Sequence, residues 1–381
     1  MNQNLRTWIE IDLDALAANY RTACSLTQAT VTCVLKSNAY GHGAVQVARA
    51  LEAAGCRSFA VSCAREALEL RRAGIGGEIL NMGLTEADAI GELLRAGNVI
   101  LTAASEGDLL AIDREAEKLG VQARVHLKVD TGFHRLGFDC TEEAAQKAAA
   151  AIHSLRHTRV EEMYSHLGLV TRERDEKQFA RLMAFRGWLK EAGAPIDGWH
   201  LCDSIGLVRY PQWHGTRCRV GALLYGMRPF HTEDMPFVLQ ETLVFKSCIA
   251  QIHTVQPGEV VGYDEAMVRG KPMRVATVCA GYGDGYPRRL SNGRGKVAVR
   301  GRRAPVVGLV CMDQLMADVT DIPDCEAGDE VTLLGGDIPV VEAAAWAETN
   351  RNECLTILSR RPVRVYRKAG QVCAVRDDLL D

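Results

Sequence analysis

A lysine ends the first strongly apolar run of the chain, and its position is the first to indicate chemistry. The run at 31–35 stops at Lys36, a loop of polar and glycine residues follows, and an Ala-rich amphipathic pattern begins near Ala44. Such a lysine is either a solvated loop residue or a desolvated amine able to form a Schiff base. Tyr40 opens the segment Tyr-Gly-His-Gly, where backbone N–H groups before a helix can bind an anion. Position alone favours the solvated-loop interpretation of Lys36, and the anion site predicted beside it gives the two interpretations equal weight.

Polar residues also end several later apolar runs. In a βα barrel the active site collects at the carboxyl ends of the strands, so these positions are candidates for a single site. The candidates that follow Lys36 and Tyr40 are Lys128, Arg135, His166, His200, Ser204, Arg219 and Gly221 with Ala222. Hydroxyl groups and the glycine-flanked backbone among them offer the donors that a phosphate needs.

Each candidate also has an ordinary structural explanation. Ser204 could cap a helix and Gly221 could form a turn, while the arginines could pair with carboxylates and the histidines could lie in the core. One such residue would carry little weight. Because several of them follow strands and a lysine is among them, a functional site is the better interpretation.

The elements that position these residues alternate between short apolar runs and amphipathic helices closed by glycine. About eight βα units can be counted up to the segment RCRVGALLYG, and eight is the number that closes a parallel TIM-type barrel. An open doubly wound sheet is the alternative, but the G-x-G-x-x-G signature after a first strand is absent.

The pattern changes near residue 236. Short apolar runs separated by Gly, Pro and Asp replace the helical periodicity, with one helix predicted near VEAAAWAE and a final strand near VRVYRK. We therefore predict an α/β chain in which residues 12–235 form a (βα)8 barrel. Residues 1–11 and 236–381 are predicted to form a second, mainly antiparallel β domain.

Composition narrows the class of ligand. The chain has 381 residues, 47% of them hydrophobic, and a formal net charge of −3 without any basic block. These values favour a small-molecule ligand over nucleic acid or a membrane surface. No signal-peptide pattern or long apolar segment occurs, and the thirteen cysteines lack metal-ligand spacing. We expect a cytoplasmic protein with reduced cysteines and no metal.

Eight motifs follow one another along nearly the entire chain. They are KSNAYGHGA, DTGFHRLGF, SHLG, WHLCDS, RVGALLYGMRP, VGYDEA, GYGDGYPRRLS and GLVCMDQLMADV. Together they resemble the alanine racemases, a family of pyridoxal-phosphate enzymes with a βα barrel and a C-terminal β domain. The resemblance implies interconversion of L-alanine and D-alanine, which supplies D-alanine for peptidoglycan.

The resemblance also implies a role for each candidate. Lys36 would bind pyridoxal phosphate through a Schiff base and act as one catalytic base, and Tyr263 would be the second. Further contacts to the cofactor would come from Tyr40, His166, Ser204, Arg219, Gly221, Ala222 and Arg360. The substrate contacts would be Arg135 and the Met312 backbone N–H, and the supporting residues would be His200 and Lys128, a lysine often carbamylated in the family.

Racemisation explains the need for two bases. A proton removed from one face of Cα must be replaced from the opposite face, so one group is required on each side. In this family the tyrosine reaches the barrel of the partner subunit. The resemblance therefore implies a homodimer with shared active sites.

Three positions depart from the family pattern. Phe133 stands where Met is common, Asp203 where Asn is common, and Arg360 where a tyrosine often contacts the phosphate. A register shift of one residue would place Ser359 at the last of these positions. Alanine is the expected substrate, and serine or a broader range of amino acids is the alternative.

Two other classes of protein share part of this plan. Basic amino acid decarboxylases use the same two domains, and Cys202-Asp203 superficially matches their Cys-Asp motif, but in the wrong domain. A non-catalytic pyridoxal-phosphate carrier also uses a barrel with a lysine, but it lacks the β domain that holds Tyr263. Both classes fit the motifs less well than a racemase does.

Overall fold

The computed structural model describes residues 5–229, 237–263, 266–268 and 270–381. The chain divides into two compact units. One comprises Leu16–Ala39 and Ala44–Gln240, and the other comprises Met1–Ala15, Tyr40–Gly43 and Glu241–Asp381. The predicted boundary between residues 235 and 236 lies outside the described residues and stays a prediction.

The first unit is built on eight parallel strands. In the order in which they pair, the strands are Arg217–Val220, Thr30–Val34, Ser58–Val61, Glu78–Asn81, Val99–Ala103, Ala123–Asp130, Thr158–Tyr164 and Gly198–His200. The two end strands approach each other: the N–H of Arg219, in the first of these strands, donates to the carbonyl of Cys202, just after the last, at 2.9 Å. The sheet is therefore nearly closed, which confirms the predicted (βα)8 barrel.

Helices connect these strands in the predicted alternation. They are Leu13–Ser25, Ala44–Ala53, Ala64–Arg72, Ala87–Ala96, Glu106–Leu119, Glu142–Ser154, Arg172–Glu191 and Ser204–Arg209. Short polar side chains begin several of them: Ser105, Thr141 and Thr171 each accept a hydrogen bond from a backbone N–H in the first turn. A two-residue strand, Phe138–Asp139, and a 3-10 turn, Pro211–Trp213, complete the unit.

The segment after the strand Thr30–Val34 is a left-handed turn, whereas the sequence predicted an ordinary loop. Ser37, Asn38, Ala39 and Tyr40 all have φ between 52° and 54°. This conformation costs about 1–2 kcal/mol for each residue with a Cβ, so other contacts must hold it. The Asn38 side-chain oxygen accepts from the Ala44 N–H at 2.7 Å. Strained backbone of this kind occurs at functional sites, and here it begins directly after Lys36.

The second unit contains a nine-stranded sheet. Its strands pair in the order Met273–Val278, Leu315–Asp318, Arg302–Val307, Lys296–Val299, Glu330–Leu334, Leu243–Val255, Thr7–Asp12, Val363–Lys368 and Gln371–Arg376. All pairings are antiparallel except that of Thr7–Asp12 with Val363–Lys368. A separate hairpin joins Val260–Val261 to Ala266–Met267. The predicted, mainly antiparallel β domain is confirmed.

Two elements at the end of this unit differ from the sequence prediction. A second helix, Arg351–Thr356, follows the expected helix Val340–Trp346, and the strand Gln371–Arg376 follows the expected last strand. The additional helix has only six residues, too few for a helical period to stand out. The additional strand is largely exposed, and its apolar residues do not alternate with polar ones. The 3-10 turns are Tyr282–Asp284 and Arg288–Leu290.

Two global features complete the description. All thirteen cysteines are free thiols, as expected from the sequence. Among the described residues, no helix has the length and apolar character required to span a bilayer.

Candidate active site

Four cationic side chains lie toward the carboxyl ends of the barrel strands: Lys36, Lys128, Arg135 and Arg219. None of them forms a salt bridge with a residue that the structure describes. Arg219 is 4% exposed and Lys128 is 6% exposed. Buried cations without carboxylate partners are costly, and they are typical of sites that receive an anionic ligand.

Lys36 is partly buried among these cations. Burial, followed by the charge of Arg135, lowers the pKa of the Lys36 amine below its ordinary value, although Glu66 opposes the shift. A lower pKa increases the neutral fraction of the amine, and the neutral amine is the form that attacks a carbonyl. The solvated-loop interpretation of Lys36 therefore fits the structure less well than the desolvated one.

Lys128 is more deeply buried. Burial, followed by the charge of Arg219, lowers the pKa of its amine to about 7. Its Nζ donates to the Val129 carbonyl at 3.1 Å and lies 5.4 Å from the centre of the Tyr164 ring. Near neutral pH this amine is neutral in a large fraction of molecules, which makes it a nucleophile.

Arg219 is held by neutral acceptors. Its Nη2 donates to the Ser165 and Leu201 carbonyls at 2.7 and 3.0 Å, and its Nη1 donates to Nδ1 of His200. Burial, followed by the Arg219 charge, holds the pKa values of His166 and His200 well below the ordinary histidine value. Both imidazoles are therefore neutral, and the guanidinium keeps its full charge.

Arg135 is positioned by a loop that wraps around one carboxylate. The Asp130 side chain accepts four backbone N–H groups, from residues 132 to 135, at 2.8 to 3.0 Å. The Arg135 guanidinium lies 4.4 Å from the centre of the Phe133 ring, and that ring meets His166 edge-on at 5.1 Å. Phe133, one of the three departures from the family pattern, thus contacts two of the candidate residues.

A cradle of hydrogen-bond donors lies where the last barrel strand ends. The Ser204 hydroxyl oxygen accepts from the Gly221 N–H at 3.0 Å and the Leu223 N–H at 3.2 Å. Because this oxygen already accepts two bonds, its own proton remains to be donated, and no described residue accepts it. The Ala222 N–H likewise has no acceptor in the described part of the chain. These two donors suit a phosphate, whereas the Gly221 amide is already used by Ser204.

Asp203, the second departure, begins the helix that carries Ser204. Its carboxylate accepts the Ile205 and Gly206 N–H groups, both at 2.9 Å, which fixes the first turn of the helix. Burial raises the pKa of this carboxyl above its ordinary value, although its backbone hydrogen bonds and Arg219 oppose the shift. Asparagine would cap in the same way, so this departure keeps the local structure.

The remaining candidates lie in the second unit. Tyr40 is 7% exposed, Tyr263 is 76% exposed in the turn after Val260–Val261, and Met312 is 54% exposed. Arg360 is exposed and forms no ion pair with the described residues. The third departure therefore carries a side chain that no internal contact explains.

Two buried residues near Arg219 were missed by the sequence analysis. Tyr164 stacks on His200 with ring centres 4.7 Å apart, and Nδ1 of His126 lies 3.1 Å from Nε2 of His200. The sequence did contain a signal for His126. Side chains two residues apart in a strand point to the same face, so His126 lies on the same face as the candidate Lys128. A further grouping involves Glu162, since ligand atoms of His126, Glu162 and His200 lie within 4.8 Å of one another, a spacing that could hold a metal ion.

A desolvated amine, cations without salt bridges and free hydrogen-bond donors, gathered at the carboxyl ends of barrel strands, are typical of an active site. The family models described as "Alanine racemase, N-terminal domain" and "Alanine racemase, C-terminal domain" match residues 11–229 and 242–366. The chain therefore belongs to the alanine racemase family.

Relatives and solved structures agree with this assignment. The alanine racemase of Desulforamulus reducens is 36% identical over 367 residues, which cover 94% of this chain and 98% of the relative. The structure of Clostridium difficile alanine racemase is 33% identical, with a TM-score of 0.93, and covers 99% of this chain and 100% of that one. The alanine racemase of Bartonella henselae with covalently bound pyridoxal phosphate is 29% identical, with a TM-score of 0.86, and covers 95% of this chain and 99% of that one.

Proposed function

We propose that the protein binds pyridoxal phosphate and interconverts L-alanine and D-alanine as a cytoplasmic homodimer, supplying D-alanine for peptidoglycan. The observation that carries the proposal is the environment of Lys36, a partly desolvated amine at a strand end among cations that form no salt bridge with the described residues. The match of both family domains and the names of the relatives support the same conclusion.

The donors and cations of the barrel fit the groups of pyridoxal phosphate. The Ser204 proton and the Ala222 N–H would bind the phosphate, with Gly221 holding Ser204 in place. Lys36 would hold the cofactor covalently through its aldehyde group, with loss of water, and Arg219 would face the pyridine nitrogen. Tyr40, Arg360 and His166 are further cofactor contacts in this proposal.

Two residues of the protein would move the substrate proton. Pyridoxal phosphate, when bound, accepts electrons from the substrate and so acidifies its Cα–H. Once the substrate amine has replaced Lys36 on the cofactor, the released amine of Lys36 would take or return the Cα proton on one face, and the phenol oxygen of Tyr263 would do so on the other. The lowered pKa of Lys36 brings this amine closer to the range in which it can accept a proton near neutrality.

Arg135, Met312 and Lys128 would hold the substrate carboxylate. The Arg135 guanidinium and the Met312 N–H would donate to its oxygens, and the Phe133 ring keeps the guanidinium in place. The neutral amine of Lys128 would add carbon dioxide and lose a proton, giving a carbamate anion that balances the nearby arginines.

Arg219 would limit side reactions. A guanidinium does not give up its proton in a protein, so it would offer the pyridine nitrogen a hydrogen bond rather than a proton. An unprotonated ring withdraws electrons less strongly, which restrains reactions such as transamination. His200 supports this role through its contact with Arg219.

The decisive experiment measures exchange of the alanine Cα hydrogen in D2O, starting from each enantiomer. We expect Lys36→Ala to lose exchange from both, and Tyr263→Phe to lose exchange from L-alanine more strongly than from D-alanine. Equal activity of wild type and Lys36→Ala would refute the proposal. Bound cofactor without exchange would indicate a carrier, and carbon dioxide released from lysine or ornithine would indicate a decarboxylase.

Mixing the two variants tests whether the sites are shared between subunits. If Tyr263 completes the site of the partner, a dimer of Lys36→Ala with Tyr263→Phe contains one intact site. After subunit exchange we expect about a quarter of wild-type activity, since half of the dimers are mixed and each has one working site of two. No recovery on mixing would mean that each site is built from one chain.

Serine, or a broader range of amino acids, is the second candidate substrate. The observation that favours it is Arg360, an exposed cation at a position where the family often has a tyrosine. Turnover of alanine, serine, lysine and glutamate under identical conditions separates the candidates, and faster turnover of serine than of alanine would replace the first choice.

A further inference from the structure

The contact between Arg219 and His200 shows which nitrogen of His200 carries a proton in this structure. A guanidinium has donors and no acceptor, so Nδ1 of His200 must accept from Nη1 of Arg219. Burial, followed by the charge of Arg219, keeps this imidazole neutral by lowering its pKa. A neutral imidazole has one proton, and in His200 that proton must lie on Nε2.

The same argument extends to His126. Nε2 of His200 lies 3.1 Å from Nδ1 of His126 and 3.7 Å from a carboxylate oxygen of Glu162. The Glu162 carboxylate only accepts, and Nδ1 of His126 must also accept, because two N–H groups cannot face each other at that distance. The proton of His126 therefore lies on its own Nε2. His126 is 0% exposed, and its Nε2 has no partner in the described part of the chain.

A hydrogen-bond chain explains this group better than a metal site does. A cation bound by His126, Glu162 and His200 would need an unprotonated Nε2 on His200, which the contact with Arg219 disfavours. Arg217 donates to both carboxylate oxygens of Glu162, at 2.9 and 2.7 Å. The negative charge of Glu162, which a metal ion would need, is therefore already balanced by the Arg217 guanidinium. A metal ion would also lie between two buried guanidinium groups.

We propose that His126 is a positioning residue that locks His200 in the Nε2–H tautomer and thereby aims Arg219. The stacked ring of Tyr164 fixes the plane of His200, and the acceptor on His126 fixes its proton. Without that acceptor, the His200 proton can move to Nδ1, where it opposes the guanidinium and breaks their hydrogen bond. The assignment of the tautomer stands without the proposed function, whereas the consequence for the cofactor rests on it.

The tautomer is tested by ¹⁵N NMR of the cofactor-free protein labelled at histidine. Long-range proton–nitrogen spectra distinguish the two tautomers, and the His200 signals are assigned by their absence in His200→Asn. His126→Asn keeps an oxygen acceptor near the position of Nδ1, whereas His126→Leu has similar bulk and no acceptor. We expect Nε2–H in wild type and in His126→Asn, and a shift towards Nδ1–H in His126→Leu. If His126→Leu does not fold, His126→Gln replaces it. The longer glutamine side chain places its amide near the position of Nε2 of His126, so no acceptor remains at the position of Nδ1.

Racemisation by the cofactor-loaded enzyme provides the second measurement. We expect kcat for alanine to fall about tenfold in His126→Leu, which corresponds to one lost hydrogen bond, with KM changed less than kcat and with substantial rescue in His126→Asn. An Nδ1–H tautomer in wild type, or an unchanged tautomer in His126→Leu, would overturn the inference. If the tautomers behave as expected but alanine is not racemised, the proposed function fails and the positioning role of His126 towards His200 remains.

Discussion

Arg217 and Arg219 lie two residues apart on the same face of one barrel strand, yet their surroundings differ. Arg217 donates to Glu78 at 2.6 Å and to Glu162 at 2.7 Å, whereas Arg219 meets two carbonyls and a neutral imidazole. Burial lowers the pKa of both guanidinium groups, but the two carboxylates outweigh it at Arg217 and raise its pKa. One layer of the barrel interior is therefore paired, and the next is left cationic.

The paired layer is a network of charges toward the amino ends of the strands. Arg124 joins it by donating to Glu78 and Glu161, both at 2.9 Å. Burial opposes ionisation of Glu78, but Arg217 and Arg124 outweigh burial and lower the pKa of this carboxyl. Loss of one member of such a network is costly, because it leaves a buried charge without its partner.

The cationic layer has the opposite balance. Lys36, Lys128 and Arg219 each lose solvation without forming a salt bridge to a described carboxylate, so the folded protein accepts a cost in stability there. Under the proposed function, their charges would be available to a phosphate, a pyridine nitrogen and a substrate carboxylate. The barrel therefore holds its paired charges in one layer and the unpaired charges of the proposed site in the next.

Removing Arg217 gives the largest expected effect on stability. In Arg217→Met, the Glu162 carboxylate remains buried without its cation, and we expect the free energy of unfolding to fall by about 3 kcal/mol or more. Urea denaturation of the cofactor-free protein measures the change. Arg219→Met is the matched control, and it should lose much less or even gain stability because no carboxylate is left unpaired. Equal losses in the two variants would contradict the distinction between the layers.

The acid side of the pH profile sharpens this prediction. Because the pKa of Glu78 is lower in the folded state, its contribution to stability is present above the ordinary glutamate value of 4.5 and is lost as the pH falls through its folded value. Removal of Arg217 should weaken this dependence. When the pH is lowered from 6 to below the folded-state pKa of Glu78, the wild type should therefore lose more of its free energy of unfolding than Arg217→Met does. The difference should be on the order of 1 kcal/mol.

Hydrophobic periodicity made the barrel and the β unit predictable, but not the partners of these charges. The sequence offered salt bridges as an ordinary explanation for Arg135 and Arg219, and neither forms one with a described residue. The pairing of Arg217 with Glu78 and Glu162 depends on the register of strands far apart in sequence. A period of two along one strand cannot provide that register.

The candidate site was predictable in its strand-end positions and not in its supporting parts. Lys36 stood out because it interrupts an apolar run, but the left-handed turn after it depends on contacts such as the one between Asn38 and Ala44. His126 and Tyr164 were hidden because a buried aromatic or imidazole in a strand is usually part of a core. Their contacts with His200 identify them.

Lys128 provides the next prediction, since burial gives it a pKa of about 7 in place of its ordinary 10.5. Between these values the unfolded chain binds the proton and the folded chain does not, so stability rises with pH across that range. Below pH 7 both states are protonated, and the full cost of burying the charge remains. In bicarbonate-free buffer, Lys128→Met should be more stable than wild type by about 3 kcal/mol at pH 6, and the difference should shrink towards pH 10. A difference independent of pH would mean that the buried charge is not its cause.

Phe133 gives the smallest expected effect and tests how the exposed guanidinium of Arg135, outside the cationic layer, is held in place. Its ring lies under the Arg135 guanidinium at 4.4 Å and against His166 at 5.1 Å, so it restrains an exposed cation without neutralising it. A contact of this kind is worth about 0.5–1 kcal/mol at an exposed site, and Phe133→Leu should raise KM for alanine about two- to fivefold with kcat nearly unchanged. Phe133→Met introduces the residue common in the family and places an unbranched apolar side chain under the guanidinium. Its KM for alanine should lie between those of the wild type and Phe133→Leu. A fall in kcat with unchanged KM would show that the ring acts on the chemical step, and the interpretation of Phe133 as a support for substrate binding would then be wrong.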